Sequence, residues 1–207
     1  MNTLIIFLKY PEPGKVKTRL AKDLGEEQAA SLYSIMVKTI LKNVPSDSYN
    51  TVIYYDPPDK KEEVKTWIGE VKVRYSPQVG NTLGDRITNA FKREFADGSG
   101  KAAIIGTDCV DVTTDIINQT MELLDGYDVV IGPAQDGGYY LLGLRQFYPY
   151  IFEDIEWSTN RVLDQTIGKI TGHKLKYSLL KTLKDIDTVD NLKEKVRDLS
   201  EFEEDTP

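Results

Sequence analysis

The chain has a single cysteine, Cys109, and a single histidine, His173, among its 207 residues. One cysteine excludes an internal disulfide and a zinc centre built on several thiolates. One histidine gives little basis for a Ser-His-Asp triad or a histidine-rich metal site. Cys109 lacks a nearby candidate base, so packing explains it more simply than nucleophilic catalysis. The chemistry of this chain must therefore depend on other residue types.

Long apolar runs are also missing. No stretch reaches the roughly 18 apolar residues that a membrane-spanning helix needs. The first apolar run ends at Lys9 and has no basic segment before it, unlike a signal peptide. The net charge of -7 and the pI of about 4.9 disfavour a general affinity for nucleic acid or for anionic membranes. We expect a cytoplasmic protein.

Strand-like and helix-like segments alternate along the chain. Short runs rich in β-branched or other apolar residues occur at 3–8, 51–55, 71–75, 102–105 and 128–131, and most are separated by segments with helical spacing. Residues 139–144 depart from this alternation, because they follow a Gly-Gly turn directly after a strand, which predicts an antiparallel or edge strand. The pattern predicts one α/β domain over residues 1–200, a doubly wound sheet with helices on both faces, and a frayed acidic tail over 201–207.

A basic loop follows the first predicted strand. Its four cations are Lys9, Lys15, Lys17 and Arg19. Pro11, Pro13 and Gly14 delay the next helix to about Val16, and the start of that helix would direct free N–H groups towards an anion. The motifs Gly-x4-Gly-Lys-Ser/Thr and Gly-x-Gly-x-x-Gly are absent. A nucleotide-phosphate cradle and a solvated basic loop both remain open.

Acidic residues follow two other predicted elements. Asp108 comes directly after strand 102–105, and carboxylates at such a position suit Mg²⁺ or Mn²⁺ together with substrate phosphates. Asp111 is explained more simply as a helix cap. Near the last helical pattern, strand alternation would place Asp185 and Asp187 on one face. Asp187 is either a helix cap or a second metal ligand.

Asp136 stands beside Gly137 and Gly138 after strand 128–131. Paired glycines allow a ligand to approach closely, so Asp136 is a candidate general base and the three residues are candidate acceptor contacts. An ordinary Asp-Gly turn explains them equally well. Trp157 is a candidate wall of the acceptor pocket, with core packing as the simpler alternative.

A glycine-containing segment precedes the helical pattern of residues 83–95. Within it, Gly80 and Arg86 are candidate nucleotide contacts. An ion pair of Arg86 with Asp85 or with a neighbouring strand is the structural alternative.

Five segments, taken in order, resemble the DUF2064 family of the nucleotide-diphospho-sugar transferase superfamily. They are Lys9-x-Pro-x-Pro-Gly14-x-Val-Lys17-Thr18-Arg19-Leu20, Gln78-x-Gly80-x-x-Leu83-Gly84-x-Arg86, Gly106-Thr107-Asp108-Cys109, residues 136–143 (Asp-Gly-Gly-Tyr-Tyr-Leu-Leu-Gly) and residues 185–188 (Asp-Ile-Asp-Thr). The resemblance spans roughly residues 1 to 192. It implies a single-domain GT-A fold, Rossmann-like, with a mixed, mostly parallel sheet, a nucleotide site on the N-terminal half and an acceptor site on the C-terminal half.

The resemblance also implies roles for individual residues. The first loop is similar to that of nucleotidyltransferases such as 2-phospholactate guanylyltransferase, which implies that it holds phosphates. The candidate nucleotide-binding residues are then Lys9, Gly14, Lys15, Lys17, Arg19, Gly80, Arg86 and Thr107, and Lys17 and Arg19 are also catalytic candidates with Asp136. Asp108 would hold Mg²⁺ or Mn²⁺, with Asp187 as a second ligand. Many relatives carry proline where this chain has Val110, so the resemblance leaves the loop geometry after Asp108 open, although the aspartate itself is retained.

Three functions remain open. The family resemblance favours a metal-dependent glycosyltransferase that uses a nucleotide sugar and a small-molecule acceptor. The basic loop favours a nucleotidyltransferase that joins a nucleoside triphosphate to a phosphorylated or acidic small molecule. A nucleotide-binding module without turnover has the same motifs. The sequence predicts no particular oligomeric state.

Overall fold

A computed structural model describes residues 1–44, 46–69 and 71–195. Its elements, in chain order, are β1 (Asn2–Lys9), α1 (Thr18–Leu24), α2 (Glu26–Asn43), β2 (Tyr49–Asp56), α3 (Lys61–Ile68), β3 (Arg74–Pro77), α4 (Leu83–Ala96), β4 (Ala102–Ile105), α5 (Thr114–Leu123), β5 (Val129–Pro133), β6 (Tyr139–Leu144), a 3₁₀ turn (Pro149–Phe152), α6 (Val162–Gly172) and β7 (Tyr177–Leu179). Residues 189–195 are also helical. The acidic tail expected at 201–207 lies outside the described residues, and the extent of the domain to residue 200 stays a prediction.

The strands form one sheet of seven strands in the order β3-β2-β1-β4-β6-β5-β7. The pairs β1–β2, β1–β4, β2–β3 and β5–β7 are parallel, and β6 is antiparallel to both β4 and β5. The predicted mixed, mostly parallel sheet is confirmed. The antiparallel direction of β6 is confirmed too, but an edge position is wrong, because β6 pairs with a strand on each side.

Helices cover both faces of the sheet, as predicted. On one face, Ile5 and Ile131 pack in a cluster with Phe91 of α4, with Phe152 of the 3₁₀ turn and with Ile170 of α6. Because side chains alternate along a strand, the neighbours of Ile5 point to the other face. There they pack with residues of α2 and α5, among them Ile40 and Ile117.

The loops that carry the predicted site residues lie at one edge of the sheet. The parallel strands β1 to β4 all end there, and the pairing of Ile105 with Leu141 places the start of β6 beside the end of β4. A bridge between Ala134 and Leu183 brings the segment 180–188 to the same edge. In sheets of this kind, ligands bind outside the carboxyl ends of the parallel strands.

Within the part of the chain that the structure describes, no helix combines the length and the apolar character that crossing a membrane requires.

Candidate functional site

Lys17 lies at the centre of the site, at the residue that precedes α1. Its side chain is only 4 % exposed, and its Nζ lies 2.5 Å from Asp108 Oδ1 and 2.7 Å from Asp187 Oδ1. The ammonium also donates a hydrogen bond to the carbonyl oxygen of Ile186 at 2.7 Å. The backbone of Lys17 is left-handed, with φ 46° and ψ 45°, which costs a non-glycine residue on the order of 1 kcal/mol or more. The three polar contacts offset this strain.

The two carboxylates keep Lys17 charged. Burial lowers the pKa of the lysine, but Asp108 and Asp187 outweigh this effect and raise the pKa above its usual value. The sequence predicted an ammonium that faces a phosphate. In the structure it faces the two carboxylates that were predicted to hold a metal, because opposite charges this close attract strongly when one of them is buried.

Asp108 and Asp187 are brought together from distant parts of the chain. Asp108 lies in the turn after β4, and its backbone oxygen accepts a hydrogen bond at 3.0 Å from the backbone N–H of Ile186. The Ile186 side chain is buried against Leu20 of α1. One hydrogen bond and one apolar contact therefore place Asp187 opposite Asp108, and this predicted pairing is present in the structure.

The donor set of this pair suits a hard divalent cation. Two carboxylate oxygens converge on a single point, which the Lys17 ammonium occupies, and Mg²⁺ is typically held by one or two carboxylates together with waters and substrate phosphates. Among the described residues, no group of three or more His, Cys, Asp or Glu side chains has the arrangement of a metal site. The pair thus fits a cation that arrives with other ligands, rather than a cage built by protein alone.

The other cations of the basic loop lie at the surface around this pair. Arg19 is 71 % exposed and its Nη1 lies 3.9 Å from Asp187 Oδ2, and Lys9 and Lys15 are exposed. Gly14 has φ +74°, a conformation that favours glycine, and a Cβ there would lie 3.1 Å from the Glu26 carboxylate. The loop is therefore shaped by its glycine, and its exposed cations are available to an anion.

Thr107 has a structural contact where a nucleotide contact was predicted. Its side chain is buried and its hydroxyl donates a hydrogen bond at 3.2 Å to the hydroxyl of Tyr33. The same Tyr33 oxygen accepts the backbone N–H of Lys9 at 2.9 Å. Burial raises the pKa of Tyr33 to about 12. The neutral phenol thereby ties the ends of β1 and β4 to α2.

Arg86 forms the structural ion pair that the sequence left as an alternative. Its Nη1 lies 3.1 Å from Asp56 Oδ2 at the end of β2, and its Nε donates to the Gly80 carbonyl at 3.1 Å. Asp85 instead caps its own helix together with Thr82. Gly80 has φ +138°, and a Cβ there would lie 2.6 Å from the Cβ of Asp85. Both predicted nucleotide contacts therefore hold the loop before α4 in place.

Asp136 occupies a tight turn and keeps an exposed carboxylate. Its Oδ1 accepts the backbone N–H of Gly138 at 2.8 Å. Gly137 has φ +89°, and a Cβ there would lie 2.2 Å from the carbonyl oxygen of Asn160. Only glycine fits at residue 137, because the turn packs directly on the backbone that precedes α6. The turn is thus present, as one interpretation of the sequence expected. The same turn holds the Asp136 carboxylate at the edge of the site.

Asp185 is a further acid of the site, joined to Cys109. The thiol of Cys109 donates a hydrogen bond to Asp185 Oδ1. Burial raises the pKa of Asp185 to about 6; the Cys109 hydrogen bond opposes this shift, while Asp136 and the other site carboxylates add to it. Burial also raises the pKa of the Cys109 thiol far above its usual range, which is typical of a buried structural cysteine and not of a nucleophile. The predicted packing role of Cys109 agrees with this contact.

The strand expected around Asp185 and Asp187 is wrong, because residues 184–187 have no ladder pairing. The two carboxylates do not share a strand face. Asp185 reaches Cys109 and Asp187 reaches Lys17. Two different contacts therefore fasten this segment to the loop after β4.

Trp157 packs on the helix that follows β3. Its Nε1 would lie 2.2 Å from a Cβ at Gly84, and its ring meets the Tyr139 ring edge-on at a centroid distance of 6.4 Å. The indole also lines an open cleft of about 650 Å³ between the start of α4 and residues 149–157. Packing thus holds Trp157 in place, and its remaining surface forms a wall of this cleft.

Comparison with known proteins identifies the family. Residues 39–159 match the family described as uncharacterized protein conserved in bacteria (DUF2064). A protein from Desulfovibrio desulfuricans G20, provisionally named a nucleotide-diphospho-sugar transferase, has a crystal structure that matches with a TM-score of 0.88. The two chains are 36 % identical over 93 % of this chain and 85 % of that chain. This chain belongs to the DUF2064 family.

More distant structures share the fold of this DUF2064 protein. The 4-diphosphocytidyl-2C-methyl-D-erythritol synthase of Anaerococcus prevotii DSM 20548 matches with a TM-score of 0.60 at 9 % identity, over 96 % of this chain and 99 % of that chain. Rv0371c of Mycobacterium tuberculosis H37Rv, solved as a complex with manganese, matches with a TM-score of 0.50 at 10 % identity, over 94 % and 97 %. A comparison with curated proteins gave no match. The expected nucleotide-diphospho-sugar transferase fold is confirmed.

Sequence reasoning assigned no individual role to three residues that shape the site. Tyr33 lies on the buried side of α2, Asp56 ends β2, and Gln78 donates to the carbonyl oxygens of Leu8 and Tyr54 at 3.0 Å. The position of Asp56 directly after the predicted strand 51–55 is the one signal that marks it in the sequence. Tyr33 reads as an ordinary apolar residue of an amphipathic helix, because only the fold brings its hydroxyl to Thr107.

Proposed function

We propose that this DUF2064 protein is a cytoplasmic transferase that uses a nucleotide sugar as donor, a small molecule as acceptor and Mg²⁺ or Mn²⁺. The observation that carries the proposal is the convergence of Asp108 and Asp187 on one point, where the Lys17 ammonium lies, beside an exposed basic loop. The name of the 36 % identical Desulfovibrio protein supports a nucleotide-diphospho-sugar donor.

The donor half of the site comprises the ends of β1 and β4. Asp108 and Asp187 would hold the divalent cation, which, when bound, neutralises the diphosphate of the donor. Arg19, Lys9 and Lys15 surround the same place and are exposed. They are suited to hold phosphate oxygens by charge-assisted hydrogen bonds. Lys17 becomes available to a phosphate only after it leaves the two carboxylates.

The acceptor half comprises the turn before β6. The exposed carboxylate of Asp136 is held by Gly138, and it lies near enough to the other site acids to raise the pKa of Asp185. In the proposed reaction Asp136 takes the proton of an acceptor hydroxyl, whose oxygen then bonds to the anomeric carbon of the sugar. The bond from that carbon to the diphosphate oxygen breaks, and the nucleoside diphosphate leaves with the electron pair.

Nucleotidyl transfer is the second candidate, favoured by the number of cations on the first loop. Lys9, Lys15 and Arg19 exceed what a diphosphate requires and suit a triphosphate. In that reaction an acceptor oxygen bonds to the α-phosphorus, the bond to the β-phosphate oxygen breaks, and pyrophosphate leaves with the electron pair. The match to the Anaerococcus synthase shows a shared fold and is not evidence for this reaction.

A thermal-shift screen tests the proposal. Nucleotide sugars and nucleoside triphosphates are compared, each with and without Mg²⁺ or Mn²⁺, because a ligand at a hundred times its Kd stabilises by about 2.7 kcal/mol. Stabilisation by a nucleotide sugar that requires metal supports glycosyl transfer and identifies the donor. Stabilisation by triphosphates alone supports nucleotidyl transfer. If neither class stabilises the protein, the proposal is wrong. If a nucleotide stabilises the protein but no acceptor is turned over, the result supports a nucleotide-binding module.

A further inference from the structure

We propose that the ammonium of Lys17 occupies the position of the divalent cation in the free protein, so that this lysine and the metal exchange for the same two carboxylates. The inference rests on the proposed function for the identity of the metal ligands. It adds that Lys17 sets how strongly the free protein binds metal, and that metal binds well only together with a nucleotide.

Distances carry the first step. Lys17 Nζ lies 2.5 Å from Asp108 Oδ1 and 2.7 Å from Asp187 Oδ1. A divalent cation held by the same oxygens, at about 2.1 Å for Mg²⁺, would lie where the nitrogen now lies. The point between the two oxygens has room for either the nitrogen or the metal, so a metal that takes this point requires that the ammonium leaves it.

Charge carries the second step. Two carboxylates and one ammonium leave the cluster with a single net negative charge, whereas the carboxylates alone would present two. A metal that enters without a nucleotide must displace a buried, ion-paired lysine and leave it without a partner, which is costly. A metal that enters with a nucleotide brings phosphate oxygens, which give Lys17 a new anionic partner in the same loop.

The backbone and the exposure of the pair carry the third step. Lys17 has a left-handed conformation that its polar contacts support, so loss of those contacts removes the reason for the strain. The side chain of Asp108 is 52 % exposed while that of Lys17 is 4 % exposed. One carboxylate is therefore half open to solvent, which gives a metal complex a route to it.

Binding of Mn²⁺ alone, in the absence of nucleotide, tests the exchange. We expect Lys17→Met to bind Mn²⁺ about tenfold or more tighter than the wild type, as measured by calorimetry or by the electron paramagnetic resonance signal of free Mn²⁺. Lys22→Met is the matched control, because it removes one positive charge from the exposed surface of α1, the helix that Lys17 precedes. Its Mn²⁺ affinity should equal that of the wild type. Unchanged or weaker Mn²⁺ binding by Lys17→Met would overturn the exchange.

A second measurement uses the wild type and covers the case in which Lys17→Met does not fold. Acetic anhydride modifies lysines according to their accessibility, and mass spectrometry reports each site. We expect Lys17 to react much more slowly than Lys22 in the free protein, and saturating Mn²⁺ to raise the reaction of Lys17 severalfold relative to Lys22. No change at Lys17 on saturation with Mn²⁺ contradicts the proposal.

These results separate the exchange from the proposed function. If nucleotides fail to stabilise the wild type but Lys17→Met gains Mn²⁺ affinity, the transferase proposal fails and the exchange stands. If a nucleotide sugar with metal stabilises the wild type but Lys17→Met gains no Mn²⁺ affinity, the exchange fails and the transferase proposal stands.

Discussion

Arg86 and Asp56 form an ion pair of 3.1 Å that joins the first turn of α4 to the end of β2. Both side chains are largely buried, at 27 % and 20 % exposure. We expect Arg86→Gln and Asp56→Asn each to lower the free energy of unfolding by about 1–3 kcal/mol, measured by urea denaturation at pH 7. The double variant should lose less than the sum, because the two changes remove one interaction. Strict additivity would show that the two side chains are not coupled, and a loss of nucleotide affinity with unchanged stability would indicate a ligand contact instead.

Asp108 is the carboxylate whose loss should weaken metal binding most. We expect Asp108→Asn to abolish the part of the nucleotide-induced thermal stabilisation that depends on Mn²⁺, because the amide is a poor substitute for a charged ligand. Asp111→Asn is the control, since Asp111 pairs with Lys195 rather than with the site. Equal metal-dependent shifts in wild type and Asp108→Asn would rule out this ligand.

Arg19 should act on phosphate and not on the base. It is 71 % exposed, so its replacement by alanine leaves the fold intact. We expect Arg19→Ala to weaken binding of a nucleoside diphosphate or triphosphate about tenfold and to leave binding of the nucleoside unchanged. Lys22→Ala serves as the comparison. An equal loss for the nucleoside would indicate that Arg19 acts by shaping the loop.

Gly84 should be intolerant of any side chain. A Cβ at this position would lie 2.2 Å from Trp157 Nε1, so Gly84→Ala must displace the indole and should cost about 1–3 kcal/mol. The chain has two tryptophans, and a Trp67→Phe background lets fluorescence report on Trp157 alone. Gly168→Ala in α6 meets nothing within 4 Å and should stabilise by about 0.5–1 kcal/mol. An unshifted emission spectrum in Gly84→Ala would contradict the packing.

Asp128 should make stability depend on acid pH. Burial alone would raise the pKa of this carboxyl, but the backbone N–H of Lys176, the Tyr148 hydroxyl and Arg145 together lower the pKa below the ordinary 3.8. A carboxyl with a lowered pKa in the folded state stabilises the fold above its unfolded pKa, and this contribution is lost as the pH falls through the folded pKa. Asp128→Asn should therefore cost about 1–3 kcal/mol at pH 7 and less near pH 3, where this carboxyl is already mostly protonated in the unfolded chain, as measured by urea denaturation at both pH values. An equal cost at both would show that charge is not involved.

The sequence predicted the periodic part of this structure well. β1, β2 and β4 are buried, β-branched runs, and the antiparallel β6 followed from the missing crossover after Gly137 and Gly138. β3 was placed a few residues too early, because an edge strand has weak alternation and its position is set by pairing with β2. β7 has only three residues and is partly exposed, so it gives almost no signal.

The site was predicted by position but not by contact. That Asp108 and Asp136 lie at one edge follows from their positions after predicted strands, whereas the place of Asp187 depends on contacts of a segment that is not a strand. That Lys17 turns inward does not, because the left-handed backbone at this residue depends on the buried carboxylates that receive it. The helix expected from about Val16 begins at Thr18 for the same reason. Arg86 likewise was ambiguous until the sheet order placed Asp56 beside it.

The reversed direction of β6 gives the two halves of this edge different chemistry. Where β1 ends, the chain turns into a loop and helix that supply ammonium and guanidinium groups. At the start of β6 the chain enters a strand instead, with no helix start there, and supplies an aspartate held by a glycine amide. A substrate that lies across the edge would therefore have its anionic end at β1 and its proton-releasing end at β6. One antiparallel strand thus predicts how the proposed donor and acceptor would be oriented along this edge.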